Sequence, residues 1–593
     1  MDICFQVLKI TLKEFPNTVY SPESGVLCTQ VYIMYLARGA LGPGCNRRRK
    51  SRVTRLGRGS ETMGLTQAAE RAALDKLIDY LNDDPAGHVD KIMDLVNKLV
   101  PDSVFPAQRK AFTDVIKSRG NWYQLIMKVF QLNPDMRTKL LKALLVDGNL
   151  MAWPVQEKSR EKYKCNIPWA ILLDPTSACN LHCIGCWAAE YGHQQNLSFD
   201  DIDSIVTQGK ALGTHVYIYT GGEPLTRKKD LIKICEKHPD CIFLCFTNST
   251  LIDEKFCQDM IRVGNFVPAI SAEGNEHTTD ARRGNGVYKA IEKAMGLLRE
   301  HELPFGISCC WTKANADTVA TEENMDWMIR EGALFCWYFH FMPVGKAATA
   351  DLIPTPEQRE HMYHFIREMR EKKPLFTLDF QNDGEYVGGC IAGGRRYLHI
   401  NAAGDVEPCV FIHYSNANIH DMSLLDALRS PIFMKYYENQ PFNGNHLRPC
   451  PMLENPKILG AMVKEAHAHN TDLVAEETPE ELAEKTVPAA VAWAPVAERI
   501  WNDKSDNLYE KRHTDESQGM AKSDMEKFRR EGHRGFEGSP TEEFMREETR
   551  EAIEREKAEK AAAAAACHCG FHADAPAPKA APVEEREVAD ATK

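Results

Sequence analysis

Cys179-Asn180-Leu181-His182-Cys183-Ile184-Gly185-Cys186 is the stretch around which the chain is organised. It follows the apolar run Trp169 to Leu173 and leaves that apparent strand through Asp174-Pro175-Thr176. The thiols therefore stand where a strand hands over to a loop, the place at which α/β folds carry their reactive groups. Three thiolates spaced C-x3-C-x2-C can hold three irons of a [4Fe-4S] cube and leave the fourth iron open for chemistry. Zinc sites usually present paired C-x2-C knuckles and a fourth ligand, and a disulfide conflicts with an apparently cytosolic chain.

Outward from this loop, strand and helix patterns alternate in the manner of βα repeats. Candidate strands are Trp169 to Asp174, Val216 to Thr220, Ile242 to Asn248, Val267 to Ser271, Phe305 to Trp311 and Phe335 to Met342. Six right-handed βα units curl into a partial (β/α)6 TIM-like barrel over residues 161–350, an α/β fold with an open side that could admit a large substrate. Ser198-Phe199-Asp200-Asp201 and Thr355-Pro356-Glu357-Gln358 read as capping boxes at helix starts.

Further motifs sit just after strands, hence on one rim. Thr220-Gly221-Gly222-Glu223-Pro224 begins its glycine pair 35 residues after Cys186. Two glycines let backbone approach a ligand closely, and Glu223 can accept a bond from an ammonium group; a tight strand-to-helix turn is the plainer alternative. Thr247-Asn248 ends the third strand, and Ser271-Ala272-Glu273-Gly274 the fourth, followed by Arg283-Gly284.

Together these motifs resemble the radical S-adenosylmethionine (radical SAM) superfamily over about Pro168 to Gly345. The resemblance implies that Cys179, Cys183 and Cys186 bind the cluster. It implies that the open iron chelates SAM and that reductive cleavage gives a 5'-deoxyadenosyl radical, which removes a hydrogen atom from the substrate. It further implies that Gly221, Gly222, Glu223 and Asn248 position SAM, that Ser271 and Glu273 face its ribose, and that Arg283 pairs with its carboxylate, where a guanidinium fork gives two parallel bonds. A surface arginine is the alternative for Arg283. Many members carry an aromatic residue just before the third cysteine to touch the adenine. Here that position is Gly185, which leaves Trp187 and the backbone near Met342 as candidates, and Asn315 as a candidate contact to the adenosyl group.

A second cysteine set follows the barrel. Cys390, thirteen residues, Gly404, four residues, Cys409 and, later, Cys450 resemble the opening of the SPASM and twitch auxiliary-cluster domains. Asn401-Ala402-Ala403-Gly404 is a hairpin-like turn that would bring Cys390 and Cys409 together. The later C-x2-C runs of a full SPASM domain are missing, so one auxiliary [4Fe-4S] cluster is expected over residues 351–460. With three cysteines its fourth iron is either open, and then able to bind substrate directly, or held by another group such as Glu454, His413 or Asp405; three unrelated thiols or a zinc site are the alternatives.

Ahead of the barrel, residues 63–160 carry helical periodicity, with Ala69, Ala73, Leu77 and Leu81, then Val89, Ile92, Val96 and Leu99, and so on to Leu145, which predicts about five helices. Residues 1–62 read as a disordered or mis-annotated extension with Met63 as the start; Arg47-Arg48-Arg49-Lys50 within it could instead meet anionic lipid or nucleic acid. Residues 461–502 are expected to form helices that pack back on the core through Trp493 and Trp501. Residues 503–593 are expected to form a disordered charged tail, in which Cys567-His568-Cys569 with His572 would be an adventitious metal site.

At 593 residues the chain can bury a large core, and its net charge of -12 gives no case for a nucleic-acid partner. No segment reads as a transmembrane helix, since Val31 to Ala37 is far shorter than the about 20 residues a bilayer requires. Nineteen cysteines, several inside strands, read as reduced thiols in a reducing cytoplasm. The expectation is a cytoplasmic radical SAM enzyme that takes electrons from a low-potential donor such as ferredoxin or flavodoxin and functionalises an unactivated C-H bond of a peptide or protein. A lipid or other small-molecule substrate is the alternative, and a non-catalytic electron-transfer or scaffold protein the rival of another class.

Overall fold

The computed structural model describes residues 59–99, 106–188, 192, 194–345, 348–474, 477–509 and 512. The readings of residues 1–58 and of the tail beyond 512, the Arg47 to Lys50 cluster and Cys567, Cys569 and His572 among them, lie outside the described residues.

All six predicted strands form, as β1 Ala170–Leu173, β2 Val216–Tyr219, β3 Ile242–Thr247, β4 Phe266–Ser271, β5 Gly306–Trp311 and β6 Phe335–His340. Each pairs in parallel with the next. The sheet is nonetheless wider than six strands. β7 Phe376–Asp379 joins β6 in parallel, β8 Tyr397–Ile400 joins β1 in parallel on the other side, and β9 Val406–Glu407 closes an antiparallel hairpin with β8 across Asn401 to Gly404. The order is β7-β6-β5-β4-β3-β2-β1-β8-β9. β7 is four residues long, too short for its sequence to show a period, and only the hairpin side of β8 was readable in advance. The sheet thus runs on past residue 350 into the stretch expected to hold the second cysteine set.

Strand alternation explains why the barrel is hollow. In β6 Cys336 and Tyr338 are buried beneath helices, whereas Trp337 and Phe339 face the lumen and are only half-buried. β7 repeats this, with Phe376 and Leu378 less buried than Thr377 and Asp379. A closed eight-stranded barrel fills that space with layers of branched side chains. Here an aromatic wall lines a cavity of about 720 Å³ that also reaches Cys179, Cys183 and Cys186.

The predicted caps are present. Ser198 and Thr355 each form a capping box, with Asp201 and Gln358 as the reciprocal partners. The helical region has one helix more than expected: α1 Gly59–Asp83, α2 Pro85–Leu99, α3 Pro106–Lys117, α4 Asn121–Val129, α5 Pro134–Leu141 and α6 Ala152–Tyr163, with a π-helical segment Lys142–Met151 joining the last two. Within that segment the Asn149 Nδ2 donates to the carbonyl of Leu144, five residues back, at 2.6 Å, a side-chain bond that accompanies the wider turn. α1 starts at Gly59, four residues ahead of the predicted region, and runs through Gly64. From α4, Trp122 extends to the far end of the lumen and packs against Phe376, with ring centroids 6.1 Å apart.

On the opposite flank β10 Tyr414–Ser415 pairs with β11 His469–Asn470, and helices Pro456–Ala466 and Pro479–Trp501 cover the hairpin region. Trp493 docks the last helix as expected: its Nε1 donates to the Leu447 carbonyl at 2.9 Å, and the Arg359 guanidinium lies 4.2 Å from its ring centre. No described helix is long and apolar enough to cross a membrane.

Candidate active site

The cysteine loop lies on the C-terminal rim of the strands. Cys179, Cys183 and Cys186 are half-buried and line the cavity. Burial pushes the Cys179 thiol up to about 11 and raises Cys186 as well, so thiolates at this site call for a compensating cation. Two features supply polarity of the right sign: the Leu181 amide donates to Cys179 Sγ at 3.5 Å, and Arg283 Nη1 lies 3.9 Å from Cys183 Sγ. A set of three thiols with amide and guanidinium donors aimed at sulfur fits an iron-sulfur cluster, whose positive irons deprotonate their ligands.

Gly185 accounts for the missing aromatic residue. Its φ is +64°, and a Cβ there would stand 2.7 Å from Phe341 Cε2. Phe341, from the segment after β6, is buried and lines the cavity at this point. The Phe341 ring therefore fills the space that a side chain at position 185 would need.

The glycine pair of the GGEP turn faces the cysteine loop rather than open space. A Cβ on Gly222 would lie 2.2 Å from the Ala178 carbonyl oxygen, and one on Gly221 2.7 Å from Asp174 Cβ. Instead the Gly222 amide donates to Thr176 O at 3.0 Å and the Glu223 amide to Ala178 O at 2.8 Å, locking this turn onto the base of the loop. The Glu223 carboxylate is buried and fixed at both oxygens: Oε1 accepts from Thr247 Oγ1 (2.7 Å) and the Leu225 amide (3.0 Å), and Oε2 from the Asn248 amide (2.8 Å). Asn248 in turn donates to Asn180 Oδ1 at 2.8 Å. Glu223, Asn248 and Ser271 all line the cavity.

Two expected contacts lie elsewhere. Glu273 is fully buried and does not line the cavity; its oxygens accept from Arg282 Nη1 (2.8 Å) and bidentately from Arg283 Nε and Nη2 (2.5 and 2.6 Å). It therefore anchors the arginine pair. Asn315 is also outside the cavity wall, with its Oδ1 accepting the Thr312 amide (2.6 Å) and its Nδ2 donating to Cys310 O (3.2 Å), which makes it the brace of the turn after β5. Arg282 was not foreseen. It lines the cavity, and its carbonyl accepts the Ile184 amide at 2.9 Å, which ties it to the cysteine loop. Cys310 of β5 also stands on the wall.

Cys390, Cys409 and Cys450 line the same cavity. Burial pushes Cys390 up to about 11 and Cys409 to about 12. Amides again point at sulfur: Phe411 N to Cys409 Sγ at 3.5 Å, and Met452 N and Leu453 N to Cys450 Sγ, both at 3.4 Å. Among the candidate fourth ligands, Asp405 is tied to Asn401 and Asn418, and His413 to Glu407. Glu454 accepts the Cys450 amide at 2.7 Å and is paired with Arg359 at 2.7 Å. Trp187 stands between the two sets, on the cavity wall, 6.4 Å from Phe411.

Residues 173–320 match the sequence profile of the Radical SAM superfamily. The chain is 23% identical over 343 residues to the AdoMet-dependent heme synthase of Methanosarcina barkeri, covering 53% of this chain and 96% of that protein. It is 24% identical over 267 residues to the sporulation killing factor maturation protein SkfB of Bacillus subtilis, covering 44% of this chain and 64% of SkfB. Among solved structures, SuiB of Streptococcus suis bound to its precursor peptide SuiA matches with a TM-score of 0.40 and 18% identity, over 47% of this chain and 69% of SuiB.

Proposed function

We propose, from the match of residues 173–320 to the Radical SAM superfamily, that Cys179, Cys183 and Cys186 hold the SAM-binding [4Fe-4S] cluster and that the lumen presents an unactivated C-H bond to it. Bound there, the cluster and SAM supply an electron and a 5'-deoxyadenosyl radical, the agent of hydrogen-atom removal. The chain's own residues do the rest. Glu223, held rigid by Thr247 and Asn248, offers a fixed acceptor to an ammonium group, and Arg282 and Arg283 place positive charge beside a carboxylate and the thiolates. Phe341 takes the place of the aromatic contact to the adenine. Trp337, Phe339, Leu378 and Phe380 exclude water from the reacting bond.

The observation that carries this reading is that the three-cysteine loop, the GGEP turn, the arginine pair and the aromatic lumen border one cavity. The test is anaerobic: reconstituted protein with dithionite and SAM forms 5'-deoxyadenosine, and the Cys183→Ala protein does not. Equal amounts from both would leave an electron-transfer or scaffold role in front.

Cys390, Cys409 and Cys450 would hold the auxiliary cluster in this reading, and Glu454, bonded to the Cys450 amide, would brace that segment. A peptide or protein substrate draws support from SkfB, a maturation protein by name. A lipid or small molecule draws support from Trp122, which extends the apolar wall from the N-terminal helices into the lumen. Comparing the peptides and metabolites of a strain lacking the gene with those of its parent separates the two. A low-potential donor such as ferredoxin or flavodoxin would feed the cluster, and a reducing cytoplasm would suit both the donor and the free thiols.

A further inference from the structure

Between the two cysteine sets runs a buried chain of acids and imidazoles that no step above uses. Asp174, directly after β1, has Oδ1 3.0 Å from His399 Nε2; His399 Nδ1 is 2.6 Å from Glu407 Oε2; Glu407 Oε1 is 3.0 Å from His413 Nδ1 and accepts from Thr471 Oγ1 at 2.5 Å. The Asp174, His399 and Glu407 side chains are at most 1% exposed and His413 7%. Strand register sets the geometry: Leu172 of β1 pairs with His399 of β8, and His399 with Glu407 of β9. Burying four ionisable groups is costly, and replacing such a network by packed apolar residues often leaves a protein as stable or more so. What such a hydrogen-bonded network gives is one orientation of its members, although Asp174 Oδ2 at its end has no hydrogen-bond partner.

The member it orients is reached through the rings. Trp187, the residue after Cys186, sits edge-on to His399 (centroids 5.8 Å, planes at 86°) and stacks on His413 (6.0 Å, 22°). At the other end, Glu407 is two residues from Cys409. The indole is thus clamped on two imidazoles, each fixed by the same carboxylate, while another part of its surface borders the cavity.

We propose that Asp174, His399, Glu407 and His413 are positioning residues, which act through Trp187 to hold it as a shared wall of the SAM site and the second cysteine site. The proposal rests on the SAM-site reading above, but its first measurement does not. In cluster-free protein, the emission of Trp187 is the difference between the parent and Trp187→Phe. Replacing the stacked imidazole in His413→Asn should change that difference in intensity and lower its anisotropy, with the far-ultraviolet circular dichroism unchanged. In reconstituted protein the same substitution should weaken SAM binding about tenfold, the lower end of what partners behind a metal site contribute, with iron per chain unchanged. In a Trp187→Phe background it should cause no further loss, because the two changes remove one shared effect. Should His413→Asn fail to fold, Thr471→Val, which removes a single bond to Glu407, carries both measurements. An unchanged Trp187 signal, or an equal loss of SAM affinity with and without the indole, overturns the proposal. If the parent itself binds no SAM, the functional reading fails while the cluster-free measurement still decides the role of the network.

Discussion

Cys179, Cys183 and Cys186 come from eight consecutive residues of one half-buried loop, whereas Cys390, Cys409 and Cys450 come from three segments spread over sixty positions. The charges around them differ too. Arg282 and Arg283, held by the buried Glu273, stand beside the first set, while the second has Glu454 against Cys450. A local loop can keep its ligand spacing with little help, provided its base is docked, here on the GGEP turn. A dispersed set exists only if a hairpin, a loop and a buried ion pair all form. The first site is therefore expected to tolerate damage elsewhere in the chain, and the second to fail with its scaffold.

The largest effect should separate the sites chemically. Cys183→Ala should reduce 5'-deoxyadenosine formation to the level of a protein-free blank, a greater loss than the about 10–100-fold typical of outer-shell changes. Cys409→Ala should leave SAM cleavage within about tenfold of the parent, since it touches no SAM-site ligand. Iron counting sharpens the comparison: changing Cys179, Cys183 and Cys186 together to alanine should leave about four irons per chain at the second site. Iron near zero in that protein would remove the second site from the comparison.

Next in size is the scaffold of the second site. Glu454→Ala leaves the Arg359 guanidinium, 3% exposed, without its carboxylate in the interior. Breaking one side of a buried pair should cost about 3–5 kcal/mol in denaturant unfolding. Iron at the second site should be lost along with that stability, while iron at the first is retained. A change under about 1 kcal/mol, the range of a surface pair, would mean that the pair is not what holds the segment.

How much of this was legible follows from how each part is encoded. The six strands and the cysteine loop were readable because each is a local pattern, apolar runs bounded by turns and a fixed thiol spacing. β7 was not, because Phe376-Thr377-Leu378-Asp379 is too short to carry a period and is held by its pairing to β6. Glu273 read as a ribose contact because it follows β4 beside Ser271, yet the next helix turns Arg282 and Arg283 back onto it, a tertiary event that the spacing does not encode. Arg282 could have been suspected from the doubled arginine. The Asp174–His399–Glu407–His413 chain had no signal at all, since its members are scattered over more than two hundred positions and meet only through strand register.

The smallest predicted effect probes the loop from its one unusual position. Gly185→Ala places a Cβ against Phe341 and Leu352 at 2.7 and 2.8 Å and holds an alanine at φ +64°. The backbone conformation alone should cost about 1–2 kcal/mol, a penalty that no repacking relieves. The clash is separable from it, because Phe341→Ala in the same protein frees the space and leaves φ as it was. If Phe341 supplies the ring that the loop lacks, the double change should recover part of the lost stability yet bind SAM more weakly than Gly185→Ala alone. Recovery of both together would make Phe341 a packing residue only and return the adenine contact to Trp187, on the side of the cavity that faces the second cysteine set.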